Sequence, residues 1–344
     1  MTPFQSATNF NTRSGPIFVY PDDFNSDSLE DLAVVNRDDN TVSVFLRNSD
    51  GTFQSPVNYA TGSVPLSVIS ANVNNNGNND LVVVNRDDNT ISILLGNSDG
   101  TFRSQTTITT GARPFDVVAA NFNGDGNLDL AVVNNGDNTI SVFLGDGNGG
   151  VQSQTTLTTA QDPFSIDAAD FNNDNRQDIA VVNAGSNTVG IFFGNGDGTF
   201  QTQIQYNTDT TPVFLTLNNF DGNSAIDIAT ANSVGNTVSV LFNSGSGTFS
   251  NRRDITVGSG PFSVTSGDFN NDDQIDIIAA NQNSNTLSLL FGYGNGTFRN
   301  PSTVGTGTGT EPIDLTGIVR NGKLDLAVVL FNSSQLSIYF NQCP

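Results

Sequence analysis

Short apolar runs, each set between polar segments rich in Asn, Asp and Gly, recur along the whole chain. In the stretch opened by Pro163, Phe164-Ser165-Ile166-Asp167-Ala168-Ala169 can form a first strand, and a polar loop with one apolar anchor occupies 170–178. Ile179-Ala180-Val181-Val182-Asn183 is uninterrupted by polar positions until its last residue, which predicts a strand covered on both faces. A turn at Ala184-Gly185-Ser186-Asn187 precedes a third strand, Thr188-Val189-Gly190-Ile191-Phe192-Phe193. Next comes Gly194-Asn195-Gly196-Asp197-Gly198, whose glycines permit positive backbone angles, and then a more polar edge strand that ends near Asn207.

The same order of elements starts at Pro16, Pro65, Pro114, Pro163, Pro212, Pro261 and Pro312; neighbouring prolines are 49 residues apart five times and then 51. Four short strands in a period near 50, with no helical periodicity, predict one repeat architecture: an all-β, seven-bladed propeller of antiparallel four-stranded sheets spanning 1–344 as one domain. The forty-odd-residue propeller type with Gly-His and Trp-Asp signatures is excluded, because the chain has no His and no Trp. Ring closure is also legible. Phe4-Gln5-Ser6-Ala7-Thr8-Asn9-Phe10 resembles Phe53-Gln54-Ser55-Pro56-Val57-Asn58-Tyr59, a fourth strand, whereas the last repeat stops after Leu336-Ser337-Ile338-Tyr339-Phe340. Residues 1–15 are therefore expected to complete the final blade and remove an exposed edge.

The loop between first and second strands carries the candidate chemistry. In six repeats it has Asp or Asn at positions one, three and five and Asp at nine: Asp23, Asn25, Asp27, Asp31; Asn72, Asn74, Asn76, Asp80; Asn121, Asn123, Asp125, Asp129; Asp170, Asn172, Asp174, Asp178; Asn219, Asp221, Asn223, Asp227; and Asp268, Asn270, Asp272, Asp276. Alternate oxygen-bearing side chains on a tight turn suit a hard cation, which takes six to eight oxygens near 2.4 Å. A backbone carbonyl at position seven would add to them, from Leu29, Asn127, Arg176, Ala225 and Gln274 among others. Turn propensity explains any one copy, but it demands neither an Asp at nine each time nor an apolar residue at two: Phe24, Val73, Phe122, Phe171, Phe220, Phe269. Calcium is the expected ion. Carboxylate number grades the sites: the loops at Asp23, Asp170 and Asp268 hold three, those at Asn121 and Asn219 two, and the one at Asn72 only Asp80, so it should be weak or empty. In the seventh repeat only Asp325 survives, and Lys323 is expected to take the ion's place.

Composition narrows the function. A formal charge of -22, with a single lysine (Lys323), excludes nucleic acid and anionic lipid as partners. The longest apolar runs, 277–280 and 327–331, are too short to cross a bilayer, so no membrane insertion is expected. Without His, and with Cys343 as its one cysteine, the chain has no His-based triad, no His or Cys zinc site and no internal disulfide. The first residues lack a basic end and an apolar stretch, so no signal peptide is read there. Two sequons, at Asn295 and Asn332, fall in loops.

Asp-Phe-Asn-Asn-Asp, then Asp-Ile-Ala-Val-Val-Asn, then Gly-Asp-Gly-Thr-Phe (170–174, 178–183 and 196–200) resembles the FG-GAP or VCBS repeat of integrin alpha-subunit propellers and many secreted proteins. The resemblance covers essentially the whole chain. It implies calcium in the loops, an extracellular setting, and partners on the opposite face, where Arg37-Asp38-Asp39, Arg86-Asp87-Asp88, Arg113 and Asp162 lie. The loop departs from the pattern at position six, where Gly appears only as Gly77 and Gly126. Asn36, Asn40, Asn85 and Asn89 are read as turn caps. The expected function is a monomeric calcium-binding recognition or adhesion module whose partner is an extracellular protein or a glycan. The alternative is a calcium-dependent lectin holding glycans between blades, as some fungal propellers similar to this repeat do. The absence of Trp and a total of five Tyr weaken it. Catalysis is not expected, since the repeated Asp pairs are committed to metal and Asp116, Asp167 and Asp314 are scattered strand residues.

Overall fold

The computed structural model describes residues 3–343 and contains 28 strands in seven four-stranded antiparallel sheets. Blade 1 runs from the axis outward as Pro16–Asp22, Asp31–Asn36, Thr41–Phe45 and Val57–Ala60, and the next five blades repeat this order. The blade is a plain meander because every connection is short enough to join antiparallel neighbours. Blade 7 takes three strands from the C-terminus, Pro312–Arg320, Lys323–Leu330 and Gln335–Tyr339, and its fourth, Thr8–Asn11, from the N-terminus. Thr8 pairs with Ile338 and Phe10 with Leu336, and Phe4 bridges Asn341 further out. The ring is thus closed as the repeated sequence predicted.

Second strands are the core. All six residues of Asp31–Asn36 and of its counterparts in blades 2 to 6 are buried, because each sheet packs both faces against neighbouring blades. The apolar residue at loop position two fills the space between blades. Phe24 meets Phe102 of the next blade edge-on at 5.6 Å, and Phe122 meets Phe200 at 5.3 Å and Phe171 meets Phe249 at 5.7 Å in the same way. Blade 2 has Val73 at this position, and blade 3 presents Val151 in the same cluster. At the closure Phe4 plays the incoming partner, 6.3 Å from Phe269. These contacts supply a packing reason for the apolar second position that needs no ion.

Candidate metal centre

Each loop is folded by its own side chains. In blade 1, Asp23 accepts from the Asp27 and Ser28 N–H groups at 3.1 and 2.8 Å, Asn25 accepts from Asp27 N–H at 3.0 Å, and Asp27 accepts from Leu29 N–H at 2.8 Å. Blade 4 repeats the set, with Asp170 on Asp174 and Asn175, Asn172 on Asp174, and Asp174 on Arg176. Asp268 and Asp272 in blade 6 do the same for Asp272, Asp273 and Gln274. In blade 2, Asn72, Asn74 and Asn76 give an uncharged copy. Blades 3 and 5 tighten the first turn, Asn121 taking Gly124 N–H and Asn219 taking Gly222 N–H; Asn123, Asp125, Asp221 and Asn223 continue as elsewhere.

This winding puts positions four and six in the left-handed region, whatever residue stands there. Ser28 has φ 67° and Ser224 φ 70° where Gly126 has φ 91°. A non-Gly residue in that region costs roughly 1–2 kcal/mol, so the serine loops hold strain that their side-chain hydrogen bonds offset. The position-seven residues Leu29, Asn127, Arg176, Ala225 and Gln274 donate their N–H groups to position five. Their carbonyls meet no donor among the described residues. Oxygens from positions one, three, five and seven therefore share one short loop.

The ninth residue also has a structural role. Both oxygens of Asp31 accept backbone N–H groups, from Phe24 at 3.0 Å and from Arg47 at the end of the third strand at 2.7 Å. Asp80, Asp129, Asp178, Asp227 and Asp276 make the same pair of bonds, and all six are fully buried. The recurrent Asp at nine is thus a brace tying the loop to the third strand, a reason for Asp at this position that needs no ion. Each carboxylate oxygen still has a second lone pair, so the brace remains able to close a cage.

Electrostatics separates the loops. Burial pushes Asp276 up to about 7, and Asp272 and Asp268 add repulsion. Asp31 and Asp178 rise to about 6 by burial, with their own loop partners adding to it, and Asp227 rises to about 6 by burial and then Asp221. Burial likewise raises Asp129 and Asp80, the latter opposed by nearby Arg103. Among the described residues no three acidic, His or Cys side chains cluster into a metal site by themselves, so amide and peptide oxygens have to complete any cage. In blade 6 one such group is waiting: both polar atoms of the Asn270 amide are buried without a hydrogen-bond partner. Closely spaced carboxylates, bare carbonyls and an orphaned amide fit a hard divalent cation.

Blade 7 corrects one expectation. Lys323 does not stand in for an ion; its ammonium contacts the Cys343 carbonyl. The guanidinium of Arg320 lies against Asp325, with Nη2 3.2 Å from Oδ1, and buried Arg47 of blade 1 approaches Oδ2 at 3.7 Å. On the opposite face, Asn40 and Asn89 do cap turns, accepting from Val64 and Arg113 N–H. Asn36 and Asn85 instead are fully buried and donate to Thr41 and Ser43, and to Thr90 and Ser92, across the sheet.

Three carboxylates that looked scattered in the sequence converge on the axis. Asp116, Asp167 and Asp314 all line one central cavity. The signal was their register: Asp116 and Asp314 each lie two residues after the proline of their repeat, and Asp167 four residues after its own.

The FG-GAP-like repeat profile matches residues 23–83, 72–132, 121–181 and 219–279, windows that begin at the first loop position. They cover more than half of the chain, which belongs to that family. No curated protein matches it. Among solved structures it is similar to BBS1N, crystallised in complex with ARL6DN, with a TM-score of 0.71 at 12% identity over 100% of this chain and 98% of that one. A streptogramin B lyase gives 0.69 at 14% over 98% of each. A lectin from Agrocybe aegerita that recognises non-reducing terminal N-acetylglucosamine gives 0.60 at 16%, over 84% of this chain and 80% of that one. At such identities the likeness is one of fold.

Proposed function

We propose that the chain is a calcium-stabilised extracellular recognition module, acting as a monomer and without catalysis. The observation that carries the calcium reading is the blade 6 loop, where the orphaned Asn270 amide lies in a loop with Asp268, Asp272 and Asp276. Bound Ca²⁺ would supply the missing countercharge. Asp268, Asn270, Asp272, the Gln274 carbonyl and Asp276 would hold it there, with the equivalent residues at Asp23 and Asp170 next in charge. Extracellular loops of this class work at about 10⁻⁴ to 10⁻³ M, and at ten times the dissociation constant each site adds about 1.4 kcal/mol. Calorimetric melting with calcium and with chelator tests this; coincident transitions would overturn it. Partner contacts are assigned to the face bearing the Arg37 and Arg86 turns, since the ion loops and their bracing fill the other.

A second reading, a lectin, draws on one groove. Asp221, Phe242, Asn251 and Arg253 of blade 5 face Asn295 and Gly296 of blade 6 around a cavity of about 380 Å³. An aromatic edge beside amides, a carboxylate and a guanidinium suits a sugar ring. Reproducible calcium-sensitive binding to one sugar on a glycan array would favour it over a protein partner.

A further inference from the structure

The innermost strand of every sheet leaves one edge facing the axis, and those edges enclose a cavity of about 210 Å³. Its floor is aromatic: Phe18 of blade 1 and Phe214 of blade 5 meet with ring centroids 6.0 Å apart. Tyr20, Thr265, Thr316 and Asp167 are among the polar groups of its wall.

The three axial carboxylates are not equivalent. Asp116 accepts from Ser67 Oγ at 2.6 Å, from Val117 N–H at 2.9 Å and from Ile166 N–H at 3.2 Å, tying blades 2, 3 and 4. Asp314 accepts from Ser263 Oγ at 2.5 Å and Val19 N–H at 3.0 Å, tying blades 6, 7 and 1. Both are structural staples for free strand edges. Asp167 staples nothing: one oxygen accepts from the adjacent Ala168 N–H at 2.8 Å, and the other meets no donor among the described residues. The Tyr20 hydroxyl, on the same cavity, also has no hydrogen-bond partner among them. No Lys or Arg lines the space. A carboxylate with a spare oxygen, an unused hydroxyl and an aromatic floor form a pocket for positive charge that the chain itself does not fill.

We propose that this axial cavity binds a small organic ammonium ion, with Asp167 as its counter-charge and Phe18, Phe214 and Tyr20 as its aromatic surface. A hard metal ion needs six to eight oxygens, which one spare carboxylate and a half-apolar wall do not provide. An alkylammonium is satisfied by one carboxylate and the faces of aromatic rings. Burial, followed by the Asp116 charge, already pushes Asp167 up to about 7, in keeping with a carboxylate short of a cation. The site is independent of the loops.

The test is isothermal titration of the full, calcium-saturated chain with choline, beside its uncharged isostere 3,3-dimethylbutan-1-ol. Saturable choline binding is expected, with the isostere weaker by at least about tenfold, or 1.4 kcal/mol. Asp167→Asn should lose at least that factor while keeping its melting temperature, and Thr265→Val should weaken binding by less. Asp99→Asn, on an exposed turn, should bind as the parent does. Equal binding of choline and the isostere, choline affinity unchanged in D167N, displacement of choline by further calcium, or no heat with choline at millimolar concentration would each overturn the proposal. A D167N chain that fails to fold leaves the comparison of choline with the isostere to decide.

Discussion

Blades 6 and 7 solve one electrostatic problem in two ways. In blade 6 burial pushes the braced Asp276 up to about 7, Asp268 and Asp272 add repulsion, and the exposed Arg299 approaches only Asp272, at 3.8 Å. In blade 7 the interval from Pro312 to Asp325 is 13 residues where Pro261 to Asp276 is 15. The strand runs on to Arg320 and reverses through Asn321 at φ 52° and Gly322 at φ 76°, the pair of positive angles a two-residue hairpin requires. That shortening removes the cage and brings Arg320 onto Asp325, with Arg47 reaching across the seam. One carboxylate is paired with covalent cations, and on the calcium reading the other takes a diffusible one. On that reading, five joints respond to calcium, blade 2 responds weakly or not at all, and the joint that closes the ring does not.

The largest expected effect comes from removing the closing strand. A chain lacking residues 1–12 loses the Phe4–Phe269 contact and the whole pairing of Thr8–Asn11 with Gln335–Tyr339, leaving a buried core strand as a bare edge. The loss should exceed about 5 kcal/mol, comparable with a domain's entire folding free energy, and melting should lose its single cooperative transition with or without calcium. An unaltered melt would mean that blade 7 does not hold the ring.

Next is the built-in ion pair. Asp325→Ala leaves Arg47, whose side chain is 2% exposed, without its counter-charge and frees Asn341 N–H. Breaking a buried pair from one side costs about 3–5 kcal/mol. The penalty, read from urea melts, should be the same in calcium and in chelator. If calcium enlarges it, blade 7 binds an ion through Asp325 after all and the contrast with blade 6 disappears.

How much of this the chain announces depends on the kind of signal. Blade number, strand order and closure were legible because they repeat: the copy of Phe53-Gln54-Ser55 at Phe4-Gln5-Ser6 marks the missing strand directly. The six loops were legible for the same reason. What the residues at position nine do was not, because a carboxylate bracing two N–H groups and a carboxylate binding an ion require the same amino acid. Arg320 was missed in favour of Lys323 since the two differ by one turn of a hairpin that register alone does not display. The axial carboxylates were missed because each is single in its strand, and only the ring brings blades 3, 4 and 7 together.

A smaller effect tests the diffusible cation. Asp272→Asn keeps the hydrogen bond to Gln274 N–H through its amide oxygen but removes one carboxylate from the most acidic type of loop. Without calcium its melt should match the parent's; with calcium at about ten times the dissociation constant it should lose about 1.4 kcal/mol of stabilisation. Asn76→Ala, in the uncharged blade 2 loop, should leave the calcium increment unchanged. An equal loss from both would show that carboxylate number does not grade the sites.

The smallest effect comes from the axis, where no Lys or Arg lines the cavity that holds Asp167. Burial raises Asp167 and Asp314 to about 7 and Asp116 to about 6, all from 3.8. A carboxyl whose folded pKa lies above its unfolded value binds more protons when folded, so stability falls as pH rises from about 4 to about 7 and is level beyond. This opposes surface carboxylates such as Asp99 and Asp197, which threonine hydrogen bonds hold below their ordinary value and whose contribution is lost in acid. In calcium-saturated protein Asp167→Asn removes one of the three opposing groups. Around its folded pKa a single such group changes stability by about 0.7 kcal/mol per pH unit, half the full one-proton slope. Urea melts half a unit either side of neutrality should therefore show a flatter pH dependence in the variant than in the parent, by about that amount. Identical slopes would mean that Asp167 gains no proton on folding.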